Sequence, residues 1–247
     1  MKAAVVALVA LAGCSVRDGT FENIVDAASS DGGGSDAPAV DAATSFGTLS
    51  GMCGVLNDPE LLGVSPLLVR DAFEFPREFM DPADRGLLTA GGVRLAETPN
   101  AGGSSGMSEI FAFEQLARCE QATLLKTETE IVYATTGKIT DMLVEIDGHK
   151  IGVSVTRAVA FPMGSTYTTA MAMNLLQRKL EDIQMSSANV SAADKWEKQI
   201  LSYLAYDDAT AQTVADVWAT LDVATKADTI LLISTTNGSD QFIYTNN

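Results

Sequence analysis

The chain is poor in the residues on which most metal and nucleophile chemistry depends. It holds a single histidine, His149, and three cysteines in 247 residues. One imidazole rules out the multi-histidine zinc sites and argues against a Ser-His-Asp triad. Basic residues are also scarce, 16 against 32 acidic ones, for a formal charge of −16. So acidic a surface repels phosphate backbones, which disfavours general electrostatic binding to nucleic acid or anionic lipid. After the first fifteen residues no apolar run is long enough to cross a bilayer. Aromatics reach only 6%, yet hydrophobic residues make up 47%. That is ample for one medium domain with an N-terminal extension, or for two small domains.

What is present begins with the leader. Lys2 supplies a positive end and Ala3 to Leu11 an apolar stretch too short to span, the pattern of a segment that is removed. Leu11-Ala12-Gly13-Cys14 resembles the lipobox of bacterial lipoprotein signal peptides. The small residues at 12 and 13 let a peptidase approach the backbone, and the Cys14 thiol takes the diacylglycerol. The competing reading is an ordinary secretory signal with a chance cysteine. Ser15 follows, which by the same resemblance directs a lipoprotein to the outer membrane. Residues 1–13 are therefore expected to be a signal peptide and 14–47 a lipid-anchored acidic tether. Its Asp31-Gly-Gly-Gly-Ser-Asp36 core cannot bury enough apolar surface to offset ordering. For Cys53 and Cys119, either a disulfide suited to an oxidising compartment or two buried thiols fits. A bridge would close a loop of roughly 65 residues, worth about 4 kcal/mol in the loop-entropy account.

Residues 48–107 are broken by Pro59, Pro66, Pro76, Pro82 and Pro99 and by two Gly-Gly pairs. An irregular extension is expected there, its short apolar pieces wrapping onto a core at 108–247. The signals then sharpen. Ser108 can N-cap a helix through about Glu120, and Glu130 to Ala134 reads as a strand. Ile139 to Ile146 and Lys150 to Arg157 alternate about Asp147-Gly148, a favoured two-residue hairpin turn. Tyr167 to Gln184 is an amphipathic helix, and Ser191 to Asp194 looks like the capped start of a helix reaching Ala205. Thr210 to Ala224 is expected as a further helix and Thr229 to Ser234 as a strand covered on both faces. Asn237-Gly238 is expected to turn into a last strand, Gln241 to Thr245.

The hairpin turn fixes a register. If Ile146 pairs with His149, Asp141 lies opposite Ser154 and Ile139 opposite Thr156. Alternation then puts Asp141, Glu145, Lys150, Ser154 and Thr156 on one face and Met142, Val144, Val153 and Val155 on the other. This order of elements, with an Asp on the second strand and polar-x-polar on the third, resembles the PD-(D/E)XK nuclease-like superfamily over about residues 105–246. The resemblance implies an α/β fold with a restriction-endonuclease-like core: a helix, a three-strand antiparallel meander, helices and further strands. It implies a site in which Glu109 (or, less well, Glu114) and Asp141 hold a metal, with Gln177 matching a glutamine on the second helix.

One departure bears on activity. Ser154-Val155-Thr156 stands where Glu-x-Lys would be, so the third oxygen ligand for Mg²⁺ and the cation beside the attacking water are both replaced by hydroxyls. Lys138 and Lys179 are the two lysines that could replace that cation, whereas Arg157 points to the opposite face. The leading expectation is a lipid-anchored domain with a degenerate catalytic motif, acting as a binding or structural module of the envelope. The alternative is a metal-dependent nuclease or phosphodiesterase using Glu109 and Asp141 with Mg²⁺. A third is an accessory lipoprotein that docks an envelope protein partner. Plainer readings stand beside each residue. Asp141 can be a solvated carboxylate, and Ser154 and Thr156 ordinary strand positions. Glu145 and Lys150 form a cross-strand ion pair, His149 is exposed beside the turn, residues 177–179 lie on a solvated helix face, and Trp196 and Trp218 belong to the core.

Overall fold

The computed structural model describes residues 45–99 and 106–245. The leader, Cys14 and most of the acidic tether lie outside the described residues.

In chain order, β1 (Thr48–Gly51) and α1 (Asp58–Leu62) precede β2 (Leu67–Phe75), and α2 (Ala90–Glu97) precedes α3 (Gly106–Cys119). A meander follows, β3 (Thr123–Thr127), β4 (Met142–Ile146) and β5 (His149–Ala158). Then come α4 (Thr169–Asn189), β6 (Lys198–Ala205), α5 (Asp208–Thr220), α6 (Val223–Lys226), β7 (Ile230–Gly238) and α7 (Gln241–Tyr244). The strands form one seven-stranded sheet in the order β1-β2-β7-β6-β5-β4-β3. The four inner strands β2, β7, β6 and β5 run parallel, and the outer pairings are antiparallel. Parallel strands joined by crossover helices are covered on both faces, which is why Ile230-Leu-Leu-Ile is continuously apolar.

Each face has its own core. Ile110, Phe111, Phe113 and Leu116 of α3 pack over Met142, Val144, Val153 and Val155. Phe75, Phe79 and Phe242 meet Phe111 in edge-on contacts, Phe75 at 5.1 Å and Phe79 at 5.3 Å between ring centroids, and Phe46 packs against it tilted at 5.8 Å. Such pairs add roughly 0.5–1.5 kcal/mol each beyond the area they bury. On the other face Ala172, Leu176, Leu180 and Ile183 of α4, with Val214 and Trp218 of α5, cover Leu201, Tyr203, Leu231 and Ile233.

The hairpin has the expected register: Ile146 pairs with His149, Glu145 with Lys150 and Met142 with Val153. Asp147 and Gly148 both have positive φ, 51° and 83°, as a two-residue primed turn requires. Cys53 and Cys119 are bonded.

Several expectations are corrected. Ser108 does not cap α3. The helix begins at Gly106, and Ser108 is buried within it. The strand expected at 130–134 is a turn and loop with one bridge, Tyr133 to Val190, because the edge position is taken by β3. The helix expected to reach Ala205 is instead β6, all eight of its residues buried between β5 and β7. The last strand is instead α7, whose Phe242 and Tyr244 turn into the aromatic core. Residues 48–75, expected as part of an irregular extension, add β1 and β2 to the sheet. Phe46, assigned to the tether, is 2% exposed inside the phenylalanine cluster.

Candidate site on the β4–β5 hairpin

Asp141 sits one residue before β4. Its N–H donates to the Val153 carbonyl at 3.0 Å, carrying the hairpin pairing one step further. Its side chain lies on the same side as Ser154. The Oδ2 oxygen accepts the Val155 N–H at 2.6 Å and the Ser154 hydroxyl at 3.2 Å. A lysine completes the group. Lys179 of α4 donates to the Val155 carbonyl at 3.2 Å, and its charge bears on Asp141. The residue Asp141 is half-buried, but its carboxylate is turned in among these groups. Burial pushes the carboxyl above the ordinary range, against the pull of Lys179 and of the two hydrogen bonds.

Thr156, two residues along on the same face, is half-buried and pairs in register with Tyr203 of β6. The Tyr203 hydroxyl meets that of Tyr167 at 3.0 Å in the core under α4, and burial drives its pKa upward. Glu109 is buried at 4% exposure on α3, the helix that covers the Met142, Val144, Val153 and Val155 face. Glu109 and Asp141 therefore come from elements on opposite faces of the sheet. Among the described residues no group of three or more His, Cys, Asp or Glu is placed to hold a metal ion. The groups gathered at Asp141 are an amide N–H, a hydroxyl that donates, and an ammonium. A hard cation needs acceptor oxygens, so this donor set does not fit Mg²⁺.

The other candidates are placed elsewhere. Gln177 is exposed on the outer side of α4, in a shallow groove with Glu181, Gln184, Met185 and Thr225. Lys138 pairs with Asp182 at 2.9 Å, and Arg157 donates to the Ile243 carbonyl at 3.1 Å. Glu114 is fully buried and takes the Thr89 N–H at 2.8 Å and its hydroxyl at 2.6 Å, holding the start of α2. Glu145 and Lys150 pair in register without an ion pair, since Lys150 donates to the Ala193 carbonyl at 3.0 Å. His149, expected to be exposed, bridges Glu197 at 2.9 Å and Asp58 of α1 at 3.1 Å, and these carboxylates raise its pKa. Trp196 and Trp218 are core residues, at 4% and 5% exposure.

Lys179, expected on a solvated helix face and also as one of two lysines able to replace the missing cation, is half-buried on α4 beside the buried positions 172, 176, 180 and 183. The network of Asp71, Gln115 and Ser234 under α3 gave no signal in the sequence. Gln115 donates to Asp71 and accepts from Ser234, and Met52 N–H reaches the other Asp71 oxygen at 2.7 Å.

Taken together, helix α3, the β3-β4-β5 meander, helix α4 and parallel strand β6 define an α/β domain with the element order of a restriction-endonuclease-like core. No family model matches the chain. It is similar to the AAC-rich mRNA clone AAC4 protein of Dictyostelium discoideum, 48% identical over 137 residues, which is 53% of this chain and 19% of that protein. The chain thus spans about a fifth of the length of the curated relative it matches. Among solved structures it is similar to Pyrococcus furiosus SfsA in complex with Ca²⁺, at 14% identity and a TM-score of 0.28, covering 53% of this chain and 55% of that one.

Proposed function

We propose that this chain is a lipid-anchored envelope protein of the PD-(D/E)XK nuclease-like superfamily whose domain has lost metal-dependent chemistry and serves as a binding or structural module. The observation that carries the reading is the hydrogen bonding of Asp141. At the position of the missing third carboxylate, the Ser154 hydroxyl donates a hydrogen bond to Asp141 instead of offering a ligand to a cation, and the Val155 N–H donates to the same oxygen. Burial, against the pull of those hydrogen bonds, raises the carboxyl above its ordinary pKa and so disfavours the charged form that a cation needs. The anchor rests on the Leu11-Ala12-Gly13-Cys14 motif and places the domain at the membrane, in the outer membrane by the residue after the cysteine. The partner is an envelope protein, since the acidic surface disfavours nucleic acid.

A second reading has one observation in its favour. Lys179 lies beside Asp141 and supplies the cation that position 156 lacks, as a metal-dependent phosphodiesterase would need. Calorimetric titration with Mg²⁺ separates the two readings. The native chain should show no saturable binding at millimolar Mg²⁺, and the double variant Ser154→Glu, Thr156→Lys should show it. Saturable binding by the native chain that disappears in Asp141→Asn favours the second reading.

A further inference from the structure

Residues 45–65 form a strap fastened at successive points. Arg118 of α3 donates to the carbonyls of Phe46 at 3.0 Å and Gly47 at 2.9 Å. β1 pairs along the outer edge of β2, and Met52 N–H is held by Asp71. The Glu120 carboxylate takes Gly54 N–H at 3.0 Å on one oxygen and Leu56 N–H at 2.9 Å on the other. Leu56 and Leu61 are buried, Asp58 meets His149, and the buried Lys198 of β6 donates to the carbonyls of Gly63 and Ser65. A disulfide, Cys53 to Cys119, ties the middle of this strap to the end of α3.

That bond is unequal in access. Cys53 is exposed, whereas Cys119 is 7% exposed at the end of α3. A cleft of about 220 Å³ runs alongside, lined by Thr48, Leu49, Arg118 and both cysteines. A small thiolate can enter there, and the guanidinium in the cleft wall favours thiolate over thiol.

We propose that Cys53–Cys119 is a redox latch: a dithiol reductant entering this cleft opens it and releases the strap from the edge of the sheet while the other strands stay folded. The thiolate of the reductant attacks the exposed Cys53 sulfur and forms a mixed disulfide. The S–S bond breaks, and Cys119 leaves as a thiolate that takes a proton. The second thiol of the reductant then displaces Cys53, which also leaves as a thiol, and the reductant departs as its own disulfide. Two electrons and two protons have passed to the protein. What then holds residues 48–56 is the four-residue pairing of β1, the Glu120 and Asp71 contacts and the buried Leu56, between ends anchored by Phe46 with its Arg118 contact and by Leu61 with the His149 and Lys198 contacts. That is the profile of a local opening unit.

The test is hydrogen exchange with mass spectrometry on the full chain, oxidised, reduced with dithiothreitol, and as Cys53→Ser. Reduction and the substitution should each speed exchange in peptides from 45–62 by at least about tenfold. Peptides covering β5 and β6 should be unchanged. Unchanged exchange in the strap, or an equal rise across the whole sheet, overturns the proposal. A Glu120→Gln variant guards against a silent result. In the reduced state it should speed strap exchange further, and in the oxidised state it should change it little. If it speeds both equally, the carboxylate is the fastening and the disulfide is no latch.

Discussion

Replacing Asp141 by alanine and by asparagine separates the two things the carboxylate does. Alanine removes the acceptor of the Val155 N–H and the Ser154 hydroxyl, bonds of 2.6 and 3.2 Å. An amide N–H left without an acceptor in such a setting costs about 1–3 kcal/mol, and the hydroxyl bond adds about 1 kcal/mol. Relief of carboxylate burial offsets part of this, leaving a net loss of about 2 kcal/mol, or roughly 4–8 °C in Tm for a domain of this size. Asparagine keeps an acceptor oxygen in place and carries no charge to bury, so it should cost under about 0.5 kcal/mol at pH 7. The pH dependence has a definite sign. The folded pKa of Asp141 is raised, so its contribution is fully present below the ordinary aspartate pKa and is lost as pH climbs through the raised value. The stability of Asp141→Asn relative to the native chain should therefore improve from pH 3.5 to pH 7, as urea titration at a series of pH values would read. An asparagine variant as damaged as the alanine one, or an asparagine deficit that grows from pH 3.5 to pH 7, refutes this account of the carboxylate.

Two further predictions concern other parts of the chain. His149 has a raised pKa from Asp58 first and Glu197 second, so its bridge to α1 is fully formed below about pH 6.5 and weakens as pH rises through the folded value. The urea midpoint of the native chain relative to His149→Gln should accordingly fall between pH 6 and pH 8, and a flat difference would show that the bridge contributes nothing. Changing Cys14 to Ser should abolish incorporation of labelled fatty acid and shift the protein from the membrane to the soluble fraction. Label still entering that variant would remove the lipobox reading.

The sequence was most legible where backbone chemistry leaves few choices. Asp147-Gly148 admits the two positive φ values of a tight hairpin, and the turn then dictated that Asp141 and Ser154 share a side. β6 was misread because its period-2 signal is absent: all eight residues are buried, and Ser191 to Asp194 ahead of it imitates a helix start. Its polar residues misled as well. Lys198 and Gln199 look solvated, yet Lys198 donates to two carbonyls of the strap, and Gln199 donates to Thr140 at 3.0 Å and to Ser186 at 3.2 Å. β2 was hidden for a related reason. Arg70 and Asp71 interrupt its apolar run, but Gln212 takes Arg70 at 2.9 Å and Gln115 donates to Asp71, partners more than 40 positions away. Local pattern cannot report satisfaction supplied from such a distance. The same holds at the site, where Asp141 and Ser154 were readable from one turn. Their third partner, Lys179, depended on how α4 packs across the sheet.

The central claim is that Asp141 is a hydrogen-bonded remnant and not a metal ligand. A working site of the Glu-x-Lys type loses a carboxylate and a cation when Ser154 and Thr156 stand in their places. Each such loss takes away a contribution of a few kcal/mol to the barrier, roughly a hundredfold or more in rate. The most direct measurement is cleavage of single- and double-stranded DNA and RNA by the purified chain with and without Mg²⁺, beside Asp141→Asn. The account predicts no Mg²⁺-dependent cleavage above background for either protein. Robust cleavage by the native chain that is lost in Asp141→Asn would contradict it.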